Sequence, residues 1–189
     1  VFDRYWMLDG GVPEAIATWK GHIHTDLLAY IGTQIAEFYN HALFVPEANY
    51  LVRDNKNTEG SNLLTILNEV AEFYDNIFTR VNLDNVKENA PTKYGYWMTA
   101  SSKGMLKDEY LKALRTHGYK EYDERVLLEA DIFEIKEDGR TMGAVDGGHD
   151  DLIIPTMIGY WVCTSFMDMP YEIKPQPAAK KRPMTEATF

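Results

Sequence analysis

A chain of 189 residues with 45% hydrophobic and 13% aromatic content can bury one sizeable core and is most economically a single globular domain. Its formal net charge of −10 argues against a tight autonomous grip on nucleic acid, because phosphate contacts are made by Lys and Arg. The charge does not exclude catalysis on nucleic acid, since carboxylates gathered at a metal site inflate the negative count and bound divalent cations would cancel it locally.

The first residue is Val1 and not Met, and no charged leader with an apolar segment precedes the first expected strand. The chain therefore reads as a fragment without a secretory signal. The longest uncharged run, residues 152–167, contains Pro155 and falls short of the roughly 20 apolar residues that span a bilayer, so it is expected to be a buried helix. Cys163 is the single cysteine and has no internal disulfide partner, which fits a reducing compartment.

In chain order, residues 1–8 are rich in β-formers, Asp9-Gly-Gly11 is a turn, and residues 15–19 can pair back as a hairpin. Over residues 25–39, Leu27, Leu28, Ile31, Ile35 and Phe38 share one stripe of a 3.6-residue period, with Thr25 or Asp26 near the N-cap. Residues 42–45 are short and apolar, a buried strand after a helix. Residues 50–60 are polar, and Leu63, Ile66, Leu67, Val70, Tyr74, Ile77 and Val81 predict a second helix. Residues 82–95 read as a loop and 96–98 as a short strand. Ser101 or Ser102 can cap a helix through Met105, Leu106, Leu111 and Leu114, ended by Gly118. Residues 126–129 suit a short helix, and 132–135 with 141–144 a hairpin around Asp138-Gly139. Asp150 or Asp151 then opens the last helix, so the globular part is expected over 1–168. From 169 to 189, four prolines and Lys180-Lys-Arg182 predict a tail that packs little.

Two acidic patches carry the functional reading. Glu47 ends the apolar stretch Leu43-Phe-Val-Pro-Glu47, and Asp150-Asp151 opens the hydrophobic helix about a hundred residues later, which is how folds assemble an acidic metal site from distant sequence. An alternative stands beside each. Two Asp at a helix start can be caps that suit the dipole. Glu47 is costly to bury unpaired, but Arg53 could satisfy it. His149 could orient a water or a ligand, or be a polar loop residue. An α-helix advances about 100° per residue, so normally only one of Asp150 and Asp151 can point at Glu47.

Other patterns carry less. His22 and His24 would share a face on a strand, yet no Cys or further His stands at zinc-site spacing. Gly10-Gly11 lacks the Lys-Ser/Thr of a phosphate loop. Ser101 and Ser102 lack the strand-turn-helix of a nucleophile elbow. Most Tyr and Trp positions are explained by core packing rather than base stacking.

Five pieces, in this order, resemble the C-terminal nuclease domain of the large terminase subunit of tailed bacteriophages. They are Ile16-Ala-Thr-Trp-Lys-Gly-His22 leading to Asp26, Ala36-Glu-Phe-Tyr-Asn-His-Ala-Leu-Phe-Val-Pro-Glu-Ala-Asn49, Tyr74-Asp-Asn-Ile-Phe-Thr-Arg80, Tyr94-Gly-Tyr-Trp-Met-Thr99 with Lys103, and Gly148-His-Asp-Asp-Leu152. The resemblance runs from near the start to about residue 165, and no single piece is specific. It implies an α/β, ribonuclease H-like fold: a mixed sheet flanked by helices, with this chain beginning on the strand after the family's first, so that neither Asp3 nor Asp9 inherits the first-strand Asp's role; either that strand is disordered or removed, or this copy lacks part of its site. It implies a metal-dependent endonuclease that cuts concatemeric double-stranded viral DNA during genome packaging, in the host-cell cytoplasm at the procapsid. Its partners would be an ATPase domain in the parent chain, the portal and the small terminase subunit, with no membrane. Glu47 falls where the family has its central-strand acid, and Asp151, with Asp150 beside it, where it has the acid of the final helix. The cofactor implied is a pair of Mg2+ or Mn2+ ions held by Glu47, Asp151 and Asp150, with His149 beside the water or phosphate and Lys103 or Arg53 on the DNA backbone. Pro46 departs from the pattern, because proline removes a strand donor. Two alternatives remain: a docking or DNA-binding module of the same fold whose acids are caps and ion pairs, or another ribonuclease H-like enzyme such as a transposase, integrase or resolvase.

Overall fold

A computed structural model describes residues 1–49, 67–79, 94–137 and 142–168. The described part is mixed α/β: helices packed with small mixed sheets. The loops expected at 50–60 and over most of 82–95, the start of the second helix, the 138–141 turn, Arg53 and the 169–189 tail lie outside the described residues.

The first residues form the expected antiparallel pair. Strand β1 (Phe2–Asp3) runs against β2 (Glu14–Ala15) with Phe2 opposite Ala15. Between them residues 5–9 coil into a 3-10 helix instead of extending the strand, and Gly10 takes φ +72° at the turn. On its other edge β2 pairs in parallel with β3 (Lys120–Glu121). The buried Glu14 carboxylate is held there by Lys120 and by the Tyr122 hydroxyl, which donates to it over 3.2 Å. His22 and His24 lie outside any strand, ahead of the first helix.

Helix α1 (Thr25–Phe38) forms where the periodicity puts it, but turns another face inward. Its buried positions are Ala29, Thr33 and Ala36, whereas Leu27 and Leu28 are exposed and Phe38 is 81% exposed. Close approach explains the choice: a Cβ added at Gly32 would come within 2.6 Å of the Phe44 ring. Small residues let the helix lie against the chain it precedes, which a leucine stripe would hold off. The cap position is His24, not Thr25 or Asp26.

Asn40 (φ 61°) and His41 (φ 56°) are both left-handed and reverse the chain into residues 42–48, an arrangement uncommon for non-glycine residues. The His41 ring stands between two carboxylates, Nδ1 donating to Glu37 at 2.6 Å and Nε2 donating to Asp75 at 2.7 Å. It also packs on Tyr74, with ring centroids 4.6 Å apart. The hydrogen bond to Glu37, then that to Asp75, raise the imidazole pKa above its ordinary 6.5. The same contact lowers that of Asp75. A raised folded-state pKa contributes stability that is fully present below the unfolded value and lost as pH rises through the folded one; for the lowered Asp75 the share is lost as pH falls through its folded value. His41 is therefore expected to contribute a fall in melting temperature as pH rises above its ordinary 6.5, and His41→Gln is expected to remove that contribution. Equal slopes in the two proteins would show that the tie is not made.

Residues 42–48 run extended, with single bridges in place of a regular strand: Phe44 to Ile77 and Glu47 to Tyr96, both parallel. The side chains alternate as they would in a strand. Leu43 and Val45 pack on one core cluster, Ala42 and Phe44 on the other. The backbone bonds of Phe44, Pro46 and Ala48 lie along one edge: Phe44 N–H to Asn76 O, Phe78 N–H to Phe44 O, Tyr96 N–H to Pro46 O and Ala48 N–H to Tyr96 O, at 2.7–2.9 Å. Pro46 fits because the edge changes partners at that point. The carbonyl of Phe78, which an N–H at position 46 would reach in a continuing ladder, accepts instead from Gly95 at 2.8 Å.

The second helix ends sooner than its pattern. Residues 67–70 are helical, but Tyr74 and Ile77 lie in the extended stretch that pairs with Phe44. Leu67, Val70, Tyr74 and Ile77 remain inward-facing in the second cluster, because a helix followed by an extended segment can cover the same wall.

Helix α2 (Ala100–Thr116) is capped by Thr99, with Ser102 as the reciprocal member of a capping box and not as the cap itself. At its other end His117 takes the left-handed position, φ 52°, and Gly118 follows it. Helix α3 (Glu124–Asp131) and the hairpin of β4 (Phe133–Ile135) with β5 (Met142–Ala144) stand where expected. Helix α4 (Ile153–Trp161) continues as a π-helical turn over Val162–Phe166. It is buried as expected, through Ile153, Ile154, Met157, Ile158, Val162 and Cys163. It packs on Leu106, Tyr110 and Ala113 of α2 to make the larger cluster. No helix among the described residues is long and apolar enough to cross a membrane.

Candidate functional site

Glu47 sits on the extended segment between Pro46 and Ala48, partly buried. The unbroken use of one edge by Phe44, Pro46 and Ala48 keeps the side-chain alternation in phase. Glu47 therefore belongs to the face of Leu43 and Val45, which the α2–α4 cluster covers. Beyond Ala48 the ladder is carried on by a side chain. The Asn49 carboxamide donates to Met98 O and accepts from Met98 N–H, both at 2.6 Å. This ties the end of the Glu47 segment to the residue before the Thr99 cap of α2.

The second acidic patch lies in the loop between β5 and α4. Gly147 (φ +82°) turns this loop, and at Gly148 a Cβ would meet Ile132 at 2.8 Å and the Val145 carbonyl at 3.0 Å. Asp150 and Asp151 are both outside α4, whose cap position is Leu152 with no side-chain cap bond from its own residue. The expectation that either aspartate opens the helix as its cap is thus corrected. The acceptor comes from elsewhere: Glu129 Oε2, at the end of α3, accepts the N–H groups of Leu152 at 2.7 Å and Ile153 at 3.0 Å.

The two aspartates turn to different neighbours. Asp150 Oδ2 lies 3.5 Å from Lys103 Nζ, on the first turns of α2. The Lys103 ammonium also stands 5.3 Å over the Phe133 ring, a cation–π distance. Asp151 Oδ2 lies 3.3 Å from Lys20 Nζ and 3.7 Å from His149 Nδ1. Lys20 reaches Glu129 Oε1 as well, at 2.7 Å. The hydrogen bond to Glu129 is the largest cause of a raised Lys20 pKa, opposed by partial burial and reinforced by Asp151. His149 is an exposed loop residue whose side chain is 75% accessible.

Sequence reasoning misses Glu129 and Lys20 as site residues. The signal that could have found Glu129 is indirect: the first amides of a buried helix need acceptors, and Leu152 cannot supply one.

Carboxylate oxygens suit Mg2+ or Mn2+ in kind. In number they fall short, because the described residues bring no three His, Cys, Asp or Glu together in a group that could hold an ion. A cavity of about 60 Å³, lined by none of the predicted acids, lies among Lys107, Tyr110, Phe133, Ile153 and Met157. It has room for a water or two. Comparison of the chain with protein-family models, curated proteins and solved structures gives no match.

Proposed function

We propose that this chain is the nuclease part of a genome-packaging terminase, a ribonuclease H-like, metal-dependent endonuclease that cuts concatemeric double-stranded DNA. What supports the reading is the alternation along residues 43–47, which gives Glu47 the side of the extended segment from which Leu43 and Val45 pack on the α2–α4 cluster, while Asp150 meets Lys103 at the start of α2. The Asn49–Met98 tie joins that start to the Glu47 segment. Glu47 and the Asp150–Asp151 pair would supply oxygen ligands, and a further carboxylate from beyond the described residues would complete the set. Mg2+ or Mn2+, when bound, would activate water and offset charge on the phosphodiester. Lys103, two-thirds or more of its side chain covered, would pass from Asp150 to a DNA phosphate once a cation takes the carboxylate. The ATPase domain, portal and small subunit would be the partners, in the host cytoplasm.

A specific observation favours a second reading, the docking module: each aspartate already has a lysine within 3.5 Å. Plasmid nicking separates the two. The chain, and a form extended upstream by about one strand, would be assayed with Mn2+, with Mg2+ and with EDTA. Cutting that depends on metal supports the endonuclease; inert protein in both forms, with no heat of Mn2+ binding, supports the docking module.

A further inference from the structure

We infer that Glu129, with Lys20 as its counter-ion, is the positioning residue for the Asp150–Asp151 pair. This inference rests on the nuclease reading for its functional meaning but not for its geometry. Among the described residues, the loop of residues 145–151 is otherwise held by Val145 N–H to Ile132 O, Gly148 N–H to Val145 O, Ile154 N–H to Asp150 O and a Lys136–Asp146 ion pair at the surface. The start of α4, directly after the loop, is fixed from outside. Glu129 is 7% exposed, and its carboxylate takes two backbone N–H donors on one oxygen and an ammonium on the other. A buried carboxylate is tolerated when it is satisfied in this way. The first amide it accepts belongs to Leu152, bonded directly to Asp151, so the peptide immediately after the acids is pinned to α3.

Lys20 then determines how the acids part. Its ammonium lies within 3.3 Å of both Glu129 and Asp151. The same charge that neutralises the cap draws Asp151 toward residue 20, and Asp150 remains directed to Lys103. The three contacts bring together α3, the segment ahead of α1 and the start of α4, so the placement does not depend on the loop alone. Partners that orient metal ligands from behind are typically worth 10–100-fold in metal affinity or activity.

The test uses E129A, E129Q and E129D in the whole chain, with two readouts. The first is amide hydrogen exchange without metal. E129A is expected to speed exchange at Leu152 and Ile153 about tenfold or more relative to Leu106 and Tyr110 in α2, because the acceptor of both amides is lost. E129Q, which keeps one acceptor oxygen, is expected to restore most of that protection. The second is Mn2+ affinity by calorimetry, expected to weaken about tenfold in E129A and less in E129Q. Should E129A fail to fold, E129D draws the carboxylate back by one methylene and is expected to give the same pattern. Unchanged protection at Leu152 and Ile153 overturns the inference, as does equal Mn2+ affinity in all variants of a wild type that binds the ion. A wild type that takes up no Mn2+, with the exchange pattern as expected, removes the nuclease reading and leaves Glu129 as the group that places the acids.

Discussion

Glu47→Gln is expected to leave the fold intact and to lower metal-dependent plasmid nicking by about 10²–10³-fold, the scale of removing one group that stabilises transition-state charge. The fold should survive because the segment is held by its backbone. Pro46 O, Ala48 N–H and the Asn49 carboxamide make the bonds on either side of residue 47. Glutamine keeps the shape and removes the charge, so lost cutting would report the carboxylate itself. The measurement is conversion of supercoiled to nicked plasmid with Mn2+, beside a thermal melt of each protein. Nicking at the wild-type rate by a folded variant would take Glu47 out of the site. Loss of the fold together with activity would show instead that the side chain is structural.

Leu106→Ala is expected to lower stability by about 2–5 kcal/mol, the range for deleting a fully buried leucine side chain. Leu106 is 1% exposed in the middle of α2 and belongs to the cluster with Ile153, Met157 and Ile158 of α4. Neighbouring Tyr110 is anchored through its hydroxyl, which accepts from that of Tyr119 at 2.8 Å, so the wall has little freedom to collapse into the space left. Urea unfolding would show a lower midpoint with unchanged slope. A loss below about 1 kcal/mol would mean that α2 and α4 do not share the main core. The effect reaches the acids, because α2 carries Lys103 and α4 follows Asp150.

Legibility in the sequence differs from element to element for physical reasons. Helix α1 is visible because its apolar residues repeat at the helical period, but the pattern misleads about its inner face. Periodicity weighs side chains by hydrophobicity, whereas the packing favours the small residues Ala29, Gly32 and Ala36, which allow close approach to Phe44. By its sequence pattern the second helix runs on past its true end for a related reason: Tyr74 and Ile77 fit a helical stripe and equally fit one face of an extended segment. The β4–β5 hairpin and α3 follow their local signals. Caps are displaced by a few residues, from Ser101 or Ser102 to Thr99 and from Gly118 to His117.

The acids divide in the same way. Glu47 is conspicuous because a carboxylate follows an apolar run, and Asp150-Asp151 because two acids precede a hydrophobic helix. Glu129 is inconspicuous, being one acid among several on a short helix. Its importance arises only when the fold brings it under the amides of Leu152 and Ile153, a contact between residues 23 and 24 positions apart that no local spacing announces. Pro46 reads as a defect in a strand until the change of hydrogen-bond partners at Phe78 and Gly95 is seen.

The extended segment of residues 42–48 has a further consequence. Leu43 and Val45 line one cluster while Ala42 and Phe44 line the other, so the two clusters share a single wall one residue thick. Neither can open without stripping cover from the other, and the described part should therefore lose its structure as one cooperative unit.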